Sequence, residues 1–272
     1  MTAPTHAQAL KKLAADTLVQ TLDEDLARLL THALLRVKHV PVDGNPATRV
    51  LPQLLRRWNC VLQAEDSVAS ALYRHKTAVA LAILLHKYGI ADDTLIARAN
   101  VGIDALNDAV ALSDDFHRKS DALKAAFLRT SPAPLKRAPS LPDSLTFYRA
   151  GDVVSYQLDG SYYAAYVHRC ARINESPIIE FYDAVFDHVP DVAELAGKRA
   201  KGARYNDGSE RVSKFSVSGM KFMPDPAGQV MLVKACVDEM PDNGHLKESS
   251  GVYTVSDIFQ IQSIVDRMFG EG

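Results

Sequence analysis

Residues 147–170 read FYRAGDVVSYQLDGSYYAAYVHRC, and they mark the point at which the chain changes character. The preceding sequence is rich in Leu and Ala at helical spacing, whereas aromatic and β-branched residues dominate here, as is typical of strands. Asp159-Gly160 lies in the middle of the stretch, and Asp-Gly favours two-residue hairpin turns whose central residues have positive φ. The stretch therefore predicts an antiparallel hairpin in which VVSYQL pairs with YYAAYVHRC.

The sequence beyond this hairpin continues the β pattern. Further strands are predicted over residues 178–186, 213–222, 229–237 and 251–255. A short helix is predicted over 191–197, and Ser256 is predicted to cap a terminal helix with Ile258, Ile261, Val265 and Met268 on one face. Short strands with one or two helices predict a small, strongly bent antiparallel β-sheet or a partly open barrel with a C-terminal helix.

The first half of the chain has the periodicity of α-helices. Thr5 with Gln8 and Thr21 with Glu24 match the capping box, and Asn45-Pro46 and Asp92-Asp93 match other helix starts. One helix is predicted to end near Pro41–Gly44, and another at Gly89, which suits a left-handed C-cap. The last helix is predicted over about Asp114 to Leu128. Five or six helices with short connections predict a helical bundle.

A proline-rich segment separates the two halves. Residues 131–144 read SPAPLKRAPSLPDS and contain four prolines, which remove backbone donors and stiffen the chain. We predict an α+β protein with a helical bundle over 1–130, a linker over 131–144 and a β-rich domain over 145–272.

Charge and cysteine content restrict the function classes. Residues 1–140 contain 18 Lys and Arg against 14 Asp and Glu, whereas the remainder contains 13 against 19, so a cationic partner would favour the second half. Three widely separated cysteines without a CxxC pair predict neither a disulfide framework nor a zinc site. The apolar run 77–85 is too short to span a bilayer, and no secretory signal is recognisable. We therefore expect a cytoplasmic protein with no membrane contact.

The sequence contains no motif that carries known catalytic chemistry. It lacks HExxH, Gly-x-Ser-x-Gly, a P-loop and a dinucleotide fingerprint, so we expect no cofactor and no catalytic metal. The basic segment 197–214 has six Lys and Arg around Tyr205 and would suit phosphate contacts. Asp207 and Glu210 interrupt it, however, and a solvated loop is the preferred interpretation.

An acidic set of side chains lies along the end of the predicted strand 178–186 and the short helix that follows it. It consists of Glu180, Asp183, Asp187, Asp191 and Glu194. The ordinary interpretation is a solvated edge, and the functional interpretation is an anionic surface that steers a basic protein to its binding site.

The residues of the opening stretch also resemble a known family. Phe147, Gly151-Asp152-Val153, Asp159-Gly160, Tyr162-Tyr163 and Phe181-Tyr182-Asp183 stand in the order found in β-rich immunity proteins of bacterial polymorphic-toxin systems, of the immunity-protein-26 type. The resemblance covers about 45 residues, and neither the helical half nor the basic segment belongs to it. It implies a cytoplasmic, non-enzymatic protein that neutralises a cognate toxin by binding it.

Two other function classes remain open at this stage. One is a nucleic-acid-binding or adaptor protein in which a Tudor-like or SH3-like barrel is attached to the helices. The other is a hydrolase whose catalytic residues come together only in three dimensions.

Overall fold

The computed structural model describes residues 4–39, 47–249 and 251–270. The chain divides into two compact units, Met1–Pro142 and Asp143–Gly272. The first unit is helical, and the second contains strands and a C-terminal helix, so the α+β class is confirmed. Residues 131–144 form neither helix nor strand.

Six α-helices form the first unit within the described residues. They are α1 (His6–Lys11), α2 (Asp16–His39), α3 (Ala47–Leu62), α4 (Ala71–Lys87), α5 (Asp93–Asp108) and α6 (Asp114–Leu123), followed by a π-helical turn (Lys124–Leu128). The predicted capping box of Thr5 and Gln8 is present, and Asp92 caps α5 by accepting a hydrogen bond from the Leu95 amide. Gly89 follows Tyr88, the C-cap residue of α4, with a φ of 78°, which agrees with the predicted left-handed helix end. The helix end predicted at Pro41–Gly44 and the start at Asn45-Pro46 lie outside the described residues.

The second predicted capping box is wrong. Thr21 lies inside α2, which begins at Asp16, and its hydroxyl donates a hydrogen bond of 2.8 Å to the carbonyl of Thr17 one turn earlier. A threonine inside a helix can satisfy its hydroxyl by donating to the carbonyl one turn earlier.

Helix α4 lies at the centre of the first unit. Its residues from Thr77 to Leu85 are all buried, as expected for a helix that is apolar on every face. Helix α5 approaches α4 closely at Gly102, where a β-carbon would lie 3.2 Å from the carbonyl oxygen of His75. Gly102 therefore permits close helix packing within an uninterrupted α5.

The second unit is built on a six-stranded sheet. Its elements in chain order are β1 (Val153–Leu158), β2 (Ser161–Arg172), β3 (Glu175–Phe181), α7 (Val192–Leu195), β4 (Ala203–Arg204), β5 (Glu210–Arg211), β6 (Phe215–Ser218), β7 (Val230–Lys234), β8 (Thr254–Asp257) and α8 (Gln260–Phe269). The sheet order is β7-β1-β2-β3-β6-β8, and β4 pairs with β5 separately. The predicted hairpin is confirmed, since Leu158 faces Ser161 and Asp159 and Gly160 have φ values of 50° and 84°.

The prediction of a wholly antiparallel sheet is wrong for one pair of strands, because the sheet is mixed. Strands β6 and β8 are parallel, with Phe215 opposite Thr254, and the sheet is not closed into a barrel. After β6 the chain crosses to the far edge to form β7, and it then returns to place β8 beside β6. A long crossover of this kind permits a parallel pair, which a short turn cannot make.

The C-terminal helix is present, but a different residue caps it. Ser256 belongs to β8, and the carboxylate of Asp257 accepts hydrogen bonds of 2.8 Å from the amides of Phe259 and Gln260. The apolar face predicted for the helix is buried, including Ile261 and Val265. None of the helices in the described ranges is long and apolar enough to cross a membrane.

Candidate partner-binding surface

The segment between β3 and α7 is held against the hairpin. Phe186 and Tyr162 exchange two backbone hydrogen bonds of 2.9 Å, which fix the loop beside the start of β2. Leu195 of α7 is buried in an apolar cluster with Val153, Tyr166 and Tyr182. The acidic residues that surround α7 therefore stand on a supported part of the fold.

Two of the predicted carboxylates form the N-terminal cap of α7. Asp191 Oδ1 accepts a hydrogen bond of 2.9 Å from the Glu194 amide, and Glu194 Oε2 accepts one of 2.8 Å from the Asp191 amide. This is the reciprocal capping box, which satisfies two backbone donors at the start of a helix. Both carboxylates thus have a structural role in addition to the charge they present.

His188 joins two members of the acidic set. Its Nδ1 lies 2.6 Å from Asp187 Oδ1, and its Nε2 lies 3.1 Å from Glu194 Oε1. The hydrogen bond with Asp187, followed by that with Glu194, raises the pKa of His188 above its usual value, and the same bond lowers the pKa of Asp187. Because these groups are exposed, solvent screens their interactions.

Glu180 does not belong to the surface that the sequence predicts. Its side chain is fully buried, its Oε2 lies 2.7 Å from His168 Nε2, and its Oε1 accepts a hydrogen bond of 3.2 Å from Asn243. Strand β3 is buried on both faces from Pro177 to Phe181, so a carboxylate in it can lie only in the interior. The apolar residues on either side of Glu180 are the sequence signal that could have indicated this.

Asp183, Asp187 and Asp191 are exposed and Glu194 is half-buried. Asp183 forms an ion pair of 2.9 Å with Lys201, whereas Asp187 and Glu194 meet at His188. We call Asp183, Asp187, Asp191 and Glu194 the acidic surface. Four of the five predicted residues are therefore accessible on this surface. The fifth, Glu180, is buried inside the second unit.

A cleft of about 310 Å³ opens beside α7. Its apolar lining includes Val153, Val192, Leu195, Val237 and Met240, together with Tyr182. Its charged lining consists of Lys198, Arg199, Glu239 and Asp242. Sequence patterns do not indicate the 237–242 wall, because only tertiary folding brings that segment beside α7.

Apolar side chains stand exposed among the carboxylates. Val185 is 52% exposed and Met240 is 57% exposed, and Val189 and Val192 also remain accessible. Exposed apolar side chains rimmed by charges are typical of protein-binding surfaces, since the apolar part supplies affinity and the charged rim supplies steering.

The basic segment 197–214 is partly neutralised within the second unit. Arg211 donates a hydrogen bond of 2.7 Å to Asp207 and lies 4.6 Å from the centre of the Tyr205 ring. Lys201 pairs with Asp183, and Lys214 lies 3.9 Å from Glu180. Several of its cations are therefore engaged with neighbouring side chains of the same unit.

The described residues contain no group of three or more His, Cys, Asp or Glu arranged to hold a metal ion. His168, which is partly buried, and the fully buried Glu180 form a histidine–carboxylate pair. The geometry of this pair supports a structural role, because Glu180 is saturated by its neighbours from three directions.

Comparison with known proteins assigns no family to the chain. No protein-family model matches it, and neither a curated protein nor a solved structure matches it. The similarity to immunity proteins therefore remains a prediction from the residues of 147–183.

Proposed function

We propose that this protein binds a basic protein partner through the acidic surface and the cleft beside α7. The observation that carries the proposal is that α7, which Asp191 and Glu194 cap, lines a cleft with the exposed Met240, while Val185 is exposed in the segment that precedes α7. Negative charge accelerates the encounter with a cationic protein surface. The apolar side chains then contribute affinity by burying their surface against the partner.

We propose that the partner is a cognate bacterial toxin and that the protein is a cytoplasmic, non-enzymatic immunity protein. The support is the resemblance of residues 147–183 to such proteins, together with the excess of acidic residues in the second half. We also propose that the helices of residues 1–130 pack as a bundle and that the sheet of the second unit is strongly bent, as the sequence predicts.

The nucleic-acid-binding alternative is built on a Tudor-like or SH3-like barrel, whereas the six-stranded sheet is not closed into one. The internal pairing of Arg211 and Lys201 further lowers the positive charge that segment 197–214 offers to phosphates. No observation on the second unit therefore favours nucleic acid over a basic protein.

Asp187→Lys is the variant that tests the proposal. The Asp187 side chain is 96% exposed, and its one described contact is with His188, so the reversal changes charge with little cost to folding. Asp191 is unsuitable, because its reversal would also remove the cap of α7. Glu65→Lys, an exposed reversal in the first unit, provides the matched control.

The experiment is co-expression of the full chain with the toxin encoded next to its gene, followed by purified binding kinetics. Wild type and Glu65→Lys are expected to restore growth, and Asp187→Lys is expected to restore it poorly and to associate several-fold more slowly. Wild-type association is expected to weaken as salt is raised. Equal rescue by Asp187→Lys would reject the acidic surface, and failure of the wild type to rescue would reject the immunity function.

A further inference from the structure

His188 bridges two carboxylates that belong to different parts of the acidic surface. Its Nδ1 lies 2.6 Å from Asp187 Oδ1 in the loop before α7, and its Nε2 lies 3.1 Å from Glu194 Oε1 on α7. Ionised carboxylates only accept hydrogen bonds, whereas a neutral imidazole has a single N–H donor. Both contacts can therefore be hydrogen bonds only while the ring carries two protons and a positive charge.

Among the described residues, His188 is the only basic group within ion-pair distance of these two carboxylates. No Lys or Arg in the described ranges forms an ion pair with Asp187 or Glu194, and Lys201 pairs with Asp183 instead. The charge of His188 therefore sets how negative this part of the acidic surface is.

The surroundings of His188 leave its ring open to exchange of protons with solvent. Its side chain is 58% exposed. Phe186 stands edge-on to it, with ring centroids 6.4 Å apart, and Asp191 is engaged with Glu194 in the cap of α7. The charged groups that act on the ring are Asp187 and Glu194, and their hydrogen bonds raise the pKa of His188 above its usual value.

Loss of a proton from His188 to solvent changes the acidic surface in two ways. The net negative charge of the three side chains rises from one to two, because the carboxylates stay ionised. One hydrogen bond is also lost. The contact with Asp187 is the shorter, so Nδ1 keeps the remaining proton and Glu194 Oε1 becomes free to accept from a partner. Glu194 Oε2 still accepts from the Asp191 amide, so the cap of α7 persists.

We propose that His188 is a proton-controlled regulator of the acidic surface. While its imidazolium bridges Asp187 and Glu194, it occupies carboxylates that would otherwise meet the cations of the partner, and association is slow. When the ring loses its proton, the added negative charge and the released carboxylate accelerate association. This inference rests on the proposed function, since it concerns regulation of the same surface. By linkage, a bound cationic partner makes His188 release its proton more readily.

The first test compares wild type with His188→Gln, both as the full chain. Association with the toxin encoded next to the gene is measured at low salt between pH 6 and pH 8.5. Glutamine does not titrate, so the variant keeps the full charge of both carboxylates at every pH. His188→Gln is expected to associate about threefold faster than wild type at pH 6 and equally fast at pH 8.5. The ratio of the two rates removes the titration of the toxin itself, and a ratio that does not vary with pH would overturn the proposal.

His245→Gln is the matched control for this comparison. His245 is an exposed histidine of the same unit and lies outside the acidic surface. Its variant is expected to follow the wild type at each pH. An equal effect of the two substitutions would show that the total charge of the protein controls association, and it would reject the regulator.

A second test needs no toxin. Acetyl-pentalysine-amide is added to the full-length protein at low salt, and the titrations of His188 and His245 are followed by proton–carbon NMR. The peptide is expected to lower the midpoint of His188 by more than that of His245, because it competes for Asp187 and Glu194. Equal displacement of the two midpoints, or no displacement, would contradict the proposal.

The two tests separate this inference from the proposed function. If Asp187→Lys impairs toxin capture while the rate ratio for His188→Gln does not vary with pH, the regulator is rejected and the proposed function stands. If no toxin is captured while pentalysine selectively lowers the midpoint of His188, the proton-controlled surface stands and the immunity function is rejected.

Discussion

Glu180 on β3 and His168 on β2 form a hydrogen bond of 2.7 Å beneath the surface of the sheet. The register of β2 against β3 shifts at this point, between Val167 and Arg169. Such irregularities redirect side chains within a sheet. The pair thus belongs to the interior of the second unit, where Asn243 donates to the other carboxylate oxygen.

Removing this buried carboxylate is expected to destabilise the second unit. Glu180→Ala leaves His168 and Asn243 without their acceptor, and unsatisfied buried groups cost about 1–3 kcal/mol of unfolding free energy. Asp187→Ala, at an exposed position, is the control and is expected to change stability by only about 0.5 kcal/mol. Eight of the ten tyrosines lie in residues 143–272, so near-ultraviolet circular dichroism during urea unfolding follows this unit. Equal stability of the two variants would contradict the structural role of Glu180.

The turn of the hairpin offers a clean test of backbone strain. A β-carbon at Gly160 would meet no atom within 4 Å, but its φ of 84° is unfavourable for a side chain. Gly160→Val is therefore expected to destabilise the second unit by about 1 kcal/mol or more. Gly251 is equally open and has no positive φ, so Gly251→Val serves as the matched control. Equal melting temperatures for the two variants would show that strain at the turn is unimportant.

The proline-rich segment is expected to be the first site of proteolysis. Lys136 and Arg137 are exposed within it and lie outside any helix or strand. Brief trypsin digestion should cleave there and leave two resistant fragments, identifiable by mass spectrometry. A Lys136→Ser, Arg137→Ser double variant should survive longer under the same conditions. Initial cleavage within the helices of the first unit would argue against separable domains.

The histidine pair of the first unit predicts a pH-dependent stability. His6 Nε2 lies 2.9 Å from His86 Nδ1, and both rings contact Phe127. Burial lowers the pKa of each, and for His6 the charges of His86 and Lys87 lower it further. The unfolded chain therefore binds more protons than the folded unit below pH 6.5. The free energy of unfolding of the first unit is therefore expected to be highest above pH 6.5 and to decrease as the pH falls below 6.5.

The only tryptophan, Trp58, reports on this unit by fluorescence. Urea unfolding followed at pH 7.5, 6.5 and 5.5 should give decreasing midpoints for the wild type. His6→Gln keeps a hydrogen-bonding side chain that does not titrate, so its midpoint should depend less on pH. An identical pH dependence in the variant would show that the pair is not responsible.

His188 is expected to titrate in the opposite direction. Its contacts with Asp187 and Glu194 raise its pKa, so whatever stability they contribute is present below pH 6.5 and is lost as the pH rises through the folded-state pKa. A proton–carbon NMR titration should place its midpoint above 6.5, and Asp187→Asn should lower it. A midpoint at or below 6.5 in the wild type would mean that His188 does not bind these carboxylates in solution.

The sequence by itself determined the local elements. The hairpin at Asp159-Gly160, the end of α4 at Gly89 and the start of α5 at Asp92 depend on a few neighbouring residues whose backbone preferences or cap hydrogen bonds are local. The same reasoning failed at Thr21 and Ser256, where a suitable cap residue exists but a neighbouring helix or strand continues through it.

The tertiary structure alone decided what depends on distant contacts. The return of the chain placed β8 parallel to β6, and burial of β3 removed Glu180 from the acidic surface. The cleft joins Tyr182 to Glu239, which lie far apart in sequence and whose residue types carry no sign of their proximity. Local sequence patterns encode backbone preference and amphipathicity, whereas the juxtaposition of side chains follows from how the elements pack.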